Sequence, residues 1–263
     1  MLPSSYSLAH RVALVTGAGS RDGIGIATAR LLAELGAKVA VAATSDRIHD
    51  RAAELAAMGF DAVGVVADLT EEDQARQAAH EVEEALGSAT ILVNNAGMTS
   101  ISRPGLETES GAVADIGLED WRASMARNLD TAFLATRAVL PGMVSTGWGR
   151  VVMVASVTGA VMAMRTEASY AAAKAAVVGL ARSVAVDYAA AGVTANVVAP
   201  GWIATASQGE DEVRQGYLSP VGRSASPDEV AAVIAFLCTP GAAYVTGQTV
   251  VVDGGNSIAE ERA

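Results

Sequence analysis

Short runs of apolar residues alternate with longer, alanine-rich stretches of helical period along nearly all of the chain. The apolar runs show no polar alternation, which is typical of parallel strands covered by helices on both faces. These runs predict strands at residues 12–16, 38–43, 62–67, 91–94, 150–156, 193–198 and 249–252. The helical patterns predict helices at residues 24–35, 46–58, 71–86, 119–144, 169–190 and 228–237. Repeated strand and helix units of this kind predict an α/β fold with one doubly wound, seven-stranded parallel sheet.

No internal repeat and no linker-like stretch divides the 263 residues. We therefore expect a single domain over residues 1–263, with tails at 1–10 and 257–263. Two long connections, at 98–117 and 201–226, follow the carboxyl ends of predicted strands. Open α/β sheets bind ligands at that edge, and long connections in a compact domain are usually functional. Residues 201–226 are accordingly interpreted as a lid over a substrate.

Composition narrows the class of protein. Hydrophobic residues make up 51% of the chain and charged residues 18%, which excludes a disordered chain. The formal net charge of −11 disfavours nucleic acid and anionic membrane surfaces as partners. The longest apolar run, residues 151–164, is too short to span a bilayer. Cys238 is the only cysteine, as in many proteins of reducing compartments, so we expect a cytoplasmic protein without a membrane segment.

A glycine-rich turn, TGAGSRDGIG at residues 16–25, follows the first predicted strand. Glycines permit positive φ angles and let a pyrophosphate approach the backbone, and the next helix offers unpaired N–H groups and its positive dipole end. No lysine follows the glycines, which excludes the phosphate loop of nucleoside triphosphatases. Asp22 interrupts the strict G-x-G-x-x-G spacing. The turn therefore predicts a dinucleotide site with a modified glycine pattern.

Tyr170 and Lys174 are four residues apart, so their side chains share one face of the predicted helix. A free tyrosine has a pKa of about 10, and a nearby ammonium, helped by a cationic nicotinamide, would favour the phenolate. This pair predicts a general acid/base, although an isolated pair is more often a half-buried aromatic beside a solvated charge. The histidines at positions 10, 49 and 80 lack metal-binding spacing, so no metal site is expected.

Further short motifs occur in a fixed order along the chain. They are NNAG at 94–97, Asn128 in the next helix, Ser156 at the end of the fifth strand, YAAAK from Tyr170, PG at 200–201 and DGG at 253–255. With the glycine turn, they resemble the landmarks of the short-chain dehydrogenase/reductase family over nearly the whole chain. The turn carries two more residues than that family's usual pattern, and the interval from Ser156 to Tyr170 is about one residue longer. The resemblance implies a Rossmann-type sheet of strand order 3-2-1-4-5-6-7.

The resemblance also implies a role for each site residue. Tyr170 is the predicted acid/base, Ser156 holds the substrate oxygen, and Asn128 anchors a water that connects Lys174 to solvent. The predicted cofactor-binding residues are Gly17, Ser20, Arg21, Gly23, Ile24, Gly25, Thr44, Ser45, Asp68, Leu69, Asn95, Ala96, Gly97, Tyr170, Lys174, Pro200, Gly201, Ile203 and Thr205. The predicted substrate-binding residues are Ser156, Val157, Met162, Met164, Tyr170 and Trp202.

The choice between NAD and NADP is expected at the end of the second strand, where a carboxylate would bind the ribose of NAD. Ala43 occupies that position, while Thr44 and Ser45 can donate hydrogen bonds and Arg21 and Arg47 lie nearby in sequence. These residues predict NADP. NAD stays possible, because a shifted turn would bring Asp46 to the ribose.

The substrate is expected to be a small alcohol or ketone, neutral or cationic. Many relatives reduce 3-oxoacyl groups on an acidic carrier protein. The segments 144–149 and 189–192 contain no lysine or arginine to receive such a partner, and the net charge opposes it. A 3-oxoacyl thioester reductase and a non-catalytic nucleotide sensor are the alternatives. The resemblance further implies a homotetramer.

Overall fold

The computed structural model describes residues 3–97 and 110–260, in which the strands form one parallel sheet. The strands are β1 (Val12–Thr16), β2 (Lys38–Ala43), β3 (Ala62–Val66), β4 (Ile91–Asn94), β5 (Gly149–Val154), β6 (Val193–Pro200) and β7 (Thr249–Val252). Their order across the sheet is 3-2-1-4-5-6-7, which confirms the predicted fold. All pairings between neighbouring strands are parallel.

Helices cover both faces of this sheet. They are α1 (Ile24–Glu34), α2 (Arg47–Ala57), α3 (Glu72–Leu86), α4 (Leu118–Met125), α5 (Thr131–Thr146), α6 (Val157–Ala160), α7 (Ala168–Tyr188), α8 (Glu210–Tyr217) and α9 (Pro227–Cys238). One core lies between the sheet and α1, α2 and α9, and the other lies between the sheet and α3, α5 and α7. Leu14 is buried in one core and Val15 in the other, which explains why β1 has no polar alternation.

The predicted helix over 119–144 is interrupted. A π-helical turn at Ala126–Asp130 separates α4 from α5. Within it, Nδ2 of Asn128 donates a hydrogen bond of 3.0 Å to the carbonyl of Ser124, which is the carbonyl that an α-helix would pair with the backbone N–H of Asn128. Single π turns inside helices occur frequently at functional sites.

Two connections contain helices that the sequence pattern did not predict. The short turn α6 follows Ser156, so Ser156 lies just beyond β5 instead of in it. The helix α8 lies inside the predicted lid, residues 201–226. Of the predicted connection at 98–117, residues 98–109 lie outside the described residues.

The first described residues pack on the domain and do not form the predicted free tail. Leu8 is completely buried, and its N–H donates a hydrogen bond of 2.8 Å to the carbonyl of Leu35. The carbonyl of Ser5 accepts the N–H of Gly241 at 2.8 Å. An apolar side chain that fills the core beside α1 explains the difference. Within the described residues, the helices are too short or too polar to cross a membrane.

Candidate active site

The carboxyl ends of β1 to β4 border an open cavity of about 520 Å³. The lining includes Gly17, Gly19, Ser20, Ala42, Ala43, Thr44, Arg47, Ala67, Asp68, Leu69, Thr70, Glu71, Ala96, Gly97, Ala123, Ala126, Arg127 and Thr131. Its floor needs glycine, because a Cβ on Gly17 would lie 2.8 Å from Cα of Ala96. A cavity lined by backbone at this edge of a parallel sheet fits the phosphates of a dinucleotide.

The glycine turn is fixed by hydrogen bonds to the end of β4. Oγ1 of Thr16 accepts the N–H groups of Asn95 and Ala96 at 3.1 and 3.0 Å, and Nδ2 of Asn95 donates to the carbonyls of Thr16 and Gly17, both at 3.1 Å. A Cβ on Gly25 would lie 2.7 Å from Nδ2 of Asn95, so Gly25 packs beneath the turn. The predicted residues Gly25 and Asn95 thus shape the cavity from behind.

The N-terminus of α1 stands behind the same turn. Gly23 is its N-cap residue and Ile24 its first residue. Neither residue belongs to the cavity lining given above. They would contribute to anion binding through the N-terminus of α1, since the first N–H groups of a helix have no partner within it.

Of the two arginines that the sequence predicts near the cofactor, Arg47 belongs to the cavity lining and Arg21 does not. The side chain of Arg21 is 70% exposed, and its Nε and Nη2 atoms donate to Oε1 of Glu54 at 3.1 and 2.6 Å. Arg47 lies at the cavity, because Nε of Arg47 is 2.9 Å from the position that a Cβ on Gly19 would occupy. Both arginines lie near the turn in the sequence. In the fold, Arg21 is held by its ion pair with Glu54, whereas Arg47 lies at the cavity.

Ala43 and Thr44 line the cavity beside Arg47, whereas Ser45 does not. The hydroxyl of Ser45 is buried and has no hydrogen-bond partner in the described part of the chain. Asp68 accepts hydrogen bonds from the N–H and hydroxyl of Thr70, and Leu69 is buried beside it. Hydrogen bonds within the loop after β3 therefore hold its conformation at the cavity wall.

Tyr170, Lys174 and Ser156 lie together at the end of β5. Nζ of Lys174, buried to 4% exposure, donates to the carbonyl of Val154 at 3.2 Å and lies 5.6 Å from the centre of the Tyr170 ring. Oγ of Ser156 accepts the N–H of Thr158 at 3.2 Å, so its proton is available to another acceptor. The side chain of Ser156 acts on the phenol of Tyr170 in the direction that lowers its pKa.

Burial dominates the ionisation of both groups. It raises the pKa of Tyr170 to about 12, against the opposing hydrogen bond from Ser156 and with smaller contributions from Glu167 and Glu212. Burial lowers the pKa of Lys174 to about 8. The expected net lowering of the tyrosine pKa is therefore not found in the chain by itself, because burial of the phenol raises that pKa. Tyr170 is a neutral phenol, poised to donate a proton.

Asn128 reaches this group from the π-helical turn. A Cβ on Gly97 would lie 2.9 Å from Oδ1 of Asn128 and 3.1 Å from Nζ of Lys174, so both polar atoms face the backbone of Gly97. Gly97 has φ of +148°, in the region that favours glycine. The structure thus brings Asn128 and Lys174 together at Gly97, which lines the cavity, with Tyr170 beside Lys174.

The predicted substrate residues differ in exposure. Val157 is buried, Met162 and Trp202 are half-buried, and Met164 is 45% exposed. Nε1 of Trp202 is buried without a partner among the described residues. Gly159, with φ of +94°, packs directly against the carbonyl of Ala171 at the start of α7. Val157 therefore supports this wall from the core, and the two methionines and Trp202 are the ones that can face a substrate.

The segment after β6 leads into the predicted lid. The N–H of Gly201 donates to the carbonyl of Val252 at 3.0 Å, which ties the end of β6 (Pro200) to β7. Ile203 forms an isolated bridge with Ala225, and Thr205 follows it with its hydroxyl 3.0 Å from that of Ser207. The two ends of the segment 201–226 are thus joined at its base, and α8 projects from it.

Comparisons with known proteins agree with this geometry. A family model described as enoyl-(acyl carrier protein) reductase matches residues 17–257. A 3-oxoacyl-[acyl-carrier-protein] reductase of Vibrio cholerae is 39% identical over 253 residues, 95% of this chain and 98% of the relative. A cis-4-hydroxycyclohexanecarboxylate dehydrogenase of Sinomonas cyclohexanicum is also 39% identical over 253 residues, 95% of this chain and 97% of the relative. The crystal structure of a gluconate 5-dehydrogenase from Burkholderia cenocepacia with NADP and tartrate has a TM-score of 0.87 at 33% identity, covering 97% of this chain and 98% of that one.

Proposed function

Because this chain belongs to the short-chain dehydrogenase/reductase family, we propose that it interconverts a small secondary alcohol and its ketone by hydride transfer with NADP(H). One observation carries the proposal. Tyr170 lies beside the buried amine of Lys174, and that amine and Oδ1 of Asn128 both face Gly97, which lines the cavity that would hold a dinucleotide. That constellation can hold a carbonyl oxygen and give it a proton.

The glycine turn, the first turn of α1 and the residues 94–97 would hold the cofactor. When bound, NADPH supplies a hydride from C4 of its nicotinamide to the carbonyl carbon, and the protein supplies position and a proton. Ser156 donates a hydrogen bond to the substrate oxygen, since its own oxygen is already occupied by the N–H of Thr158. Tyr170 then transfers its phenolic proton to that oxygen, which completes the alcohol.

Lys174 replaces the proton that Tyr170 loses. With a pKa of about 8, its amine exchanges protons near neutral pH, unlike an ordinary lysine. The amide oxygen of Asn128 lies on the same side of Gly97 as Nζ of Lys174, where it can anchor a water that leads to solvent. In the direction of alcohol oxidation the phenol must first ionise, which its pKa of about 12 disfavours until cofactor charge is present.

Arg47 supports a preference for NADP over NAD. Ala43 places no carboxylate at the cavity where a ribose would lie, while Thr44 and Arg47 offer a hydroxyl and a guanidinium. Kinetics with both cofactors test this. We expect kcat/KM to favour NADPH in the wild type and the Arg47→Ala variant to lose most of that ratio, whereas Arg21→Ala serves as the control. A wild-type preference for NADH would contradict the proposal.

A panel of ketones and secondary alcohols, assayed by absorbance of the reduced cofactor, tests the reaction itself. We expect turnover of small ketones that depends on Tyr170. Complete inactivity, with cofactor binding intact, would instead favour a nucleotide sensor.

Reduction of 3-oxoacyl thioesters is the second candidate, because relatives at 39% to 41% identity carry that name. The net charge of −11 opposes an acidic carrier protein. A kcat/KM for carrier-linked substrate far above that for free ketones would favour this candidate.

The remaining expectations complete the proposal. Residues 201–226 would close over the substrate as a lid, and the chain would assemble as a homotetramer in the cytoplasm. Light scattering after size exclusion measures the assembly. A monomer that is fully active would contradict the tetramer.

A further inference from the structure

The turn that follows β7, residues 253–257, has its backbone fixed by a carboxylate. Oδ1 and Oδ2 of Asp253 accept the N–H groups of Gly255 and Ser257 at 2.9 and 2.6 Å. The N–H of Asn256 donates to the carbonyl of Asp253 at 3.1 Å. Both carboxylate oxygens are thus used within the turn, in the way that aspartate side chains stabilise turns generally, and the backbone at Asn256 is held in place.

The side chain of Asn256 contacts the loop that begins at Ser156, residues 156–162, which we call the serine loop. Asn256 is 4% exposed, and its Nδ2 donates a hydrogen bond of 3.8 Å to Sδ of Met162. The two residues are 94 positions apart, so only the fold brings them together. Sulfur is a weak acceptor, but a methionine side chain with three rotatable bonds gains a defined direction from such a contact.

Met162 closes the serine loop through its backbone. Its N–H donates to the carbonyl of Val157 at 2.9 Å, and its carbonyl accepts the N–H of Gly159 at 2.8 Å. Met162 also forms an isolated bridge with Thr158. The N–H of Thr158 in turn donates to Oγ of Ser156 at 3.2 Å. Each step from Asn256 to the serine hydroxyl is therefore a direct contact, and a displacement of Met162 would be transmitted to that hydroxyl.

The serine loop also packs on the helix that carries Tyr170. Gly159 has φ of +94°, and a Cβ there would overlap the carbonyl oxygen of Ala171 and lie 3.0 Å from the backbone nitrogen of Ala175. These two alanines directly follow Tyr170 and Lys174 in α7. One side of the loop is thus set by α7 and the other by the turn after β7.

The same turn contacts the end of the segment 201–226 through a different residue. The N–H of Val221 donates to the carbonyl of Gly254 at 3.2 Å, and a Cβ on Gly254 would lie 3.2 Å from the side chain of Val221. Gly254 has φ of +63°, so glycine is required here as well. A change to the backbone of the turn would therefore disturb two regions, whereas a change to the amide of Asn256 acts on the serine loop.

Building on the proposed alcohol and ketone activity, we propose that Asn256 is a positioning residue for hydride transfer. Its amide holds Met162, and Met162 fixes the loop that presents the hydroxyl of Ser156 to the substrate oxygen. Without the amide, Ser156 and Tyr170 keep their chemistry, but the serine loop is no longer held on the side of the turn. Reaction rates are sensitive to small displacements of a group that orients the substrate, so the chemical step slows.

Two variants that break the same contact from opposite sides test the proposal. Asn256→Ala removes the donor, and Met162→Leu removes the acceptor at nearly constant apolar volume. In single turnovers with saturating NADPH and a reactive ketone, each should lower the hydride-transfer rate about five- to tenfold, with NADPH affinity within about twofold of wild type. The double variant should be about as slow as the slower single variant, since the contact is lost only once. Effects that multiply in full, or an Asn256→Ala rate within about twofold of wild type, would overturn the inference.

A second cycle shows whether the effect passes through the serine. In a Ser156→Ala background the hydroxyl that Asn256 positions is gone, so Asn256→Ala should cause little further loss of rate. The same full loss in both backgrounds would contradict the assignment. Should Asn256→Ala fail to fold, Met162→Leu takes its place in this cycle with the same expected and contradicting results.

The matched control is another buried amide near the opposite end of β7. Asn196 is completely buried in β6, and its side chain bonds to the carbonyl of Val245 at 2.7 Å and to the N–H of Gln248 at 3.1 Å. Asn196→Ala should lower the free energy of unfolding but leave the rate per folded molecule within about twofold of wild type. An equal loss of rate in both asparagine variants would show that a loosened β7 alone is responsible, and would overturn the inference.

Amide hydrogen exchange tests the same contact without turnover. The N–H groups of Thr158, Gly159 and Met162 are hydrogen-bonded within the serine loop, so they should exchange about tenfold faster in Asn256→Ala and at the wild-type rate in Asn196→Ala. Unchanged exchange in Asn256→Ala would overturn the inference whether or not a substrate is found. Absence of hydride transfer by the wild type with every ketone tested would separately contradict the proposed function.

Discussion

Strand β5 has a buried cation at each end, and the two are held in different ways. At its amino end, Arg150 is 3% exposed and donates to the carbonyls of Gly149 and Thr239 at 2.8 and 3.3 Å. Its guanidinium also lies 4.4 Å from the ring centre of Trp148. At the carboxyl end, Lys174 is 4% exposed and has a hydrogen bond to Val154. Similar depth thus coexists with different numbers of partners.

The difference distinguishes a cation that stabilises the fold, Arg150, from one that can take part in proton transfer, Lys174. Burial lowers the pKa of both groups, but a guanidinium starts so far above neutrality that it stays charged. The amine of Lys174, with a pKa of about 8, can gain and lose a proton under ordinary conditions. Arg150 therefore stabilises the amino end of the sheet, whereas Lys174 is available for proton transfer at the carboxyl end.

Removal of the amine of Lys174 should have the largest effect on activity. We expect Lys174→Met to lower kcat/KM by about 10³-fold, because it removes the proton source of Tyr170 and a predicted cofactor contact. Stability should be unchanged or slightly higher, since a buried charge is removed. Steady-state kinetics and chemical denaturation measure both, with exposed Lys38→Met as the control. Retention of a tenth of the activity would contradict the role.

Removal of the guanidinium of Arg150 should instead lower stability and leave activity nearly unchanged. Arg150→Met leaves the carbonyls of Gly149 and Thr239 without these donors, so we expect a loss of about 3 kcal/mol in the free energy of unfolding. Activity per folded molecule should change less than about twofold, because Arg150 is at the opposite edge of the sheet from Tyr170. Exposed Arg182→Met is the matched control. A loss of activity with unchanged stability would contradict this assignment.

The pH dependence of stability should separate the two cations. The folded pKa of Lys174 is about 8 and the unfolded value is 10.5, so the unfolded chain binds more protons between these values. Stability attributable to this group therefore rises as pH increases from 8 toward 10, by about 2 kcal/mol. The difference in unfolding free energy between wild type and Lys174→Met should show this rise, since other groups cancel. A flat difference would contradict the lowered pKa; the corresponding difference for Arg150→Met should be flat.

Substitution of Gly97, which lies beside Nζ of Lys174, should have a smaller effect on activity. A Cβ there would crowd Lys174 and Asn128, and φ of +148° disfavours any other residue. Gly97→Ala should reduce kcat/KM by about tenfold. Gly147→Ala is the control, because Gly147 also has positive φ but its Cβ would meet no atom within 4 Å. Equal effects on activity would show that backbone strain alone is responsible.

The sequence predicted the sheet because each strand is an apolar run and helices separate the runs. It also predicted Tyr170, Lys174, Ser156 and Asn128, because motifs at fixed spacing identify them and the fold brings them together. Local patterns could not predict the π-helical turn at Ala126–Asp130, since they do not reveal that the side chain of Asn128 donates a hydrogen bond to the carbonyl of Ser124.

Long-range contacts account for the remaining differences. The ion pair that holds Arg21 joins residues 33 positions apart in the chain, so spacing alone could not choose between Arg21 and Arg47. The pKa of Tyr170 depends on its burial, which the order of residues does not reveal.

Replacement of Tyr170 by phenylalanine is the most direct test of the central claim, that this phenol donates the proton during hydride transfer. The variant keeps the ring and loses the hydroxyl. In single turnovers with saturating NADPH and a reactive ketone, we predict a hydride-transfer rate at least about 10³-fold below wild type, with NADPH affinity within about threefold. A Tyr170→Phe variant that transfers hydride within tenfold of the wild-type rate would contradict the account.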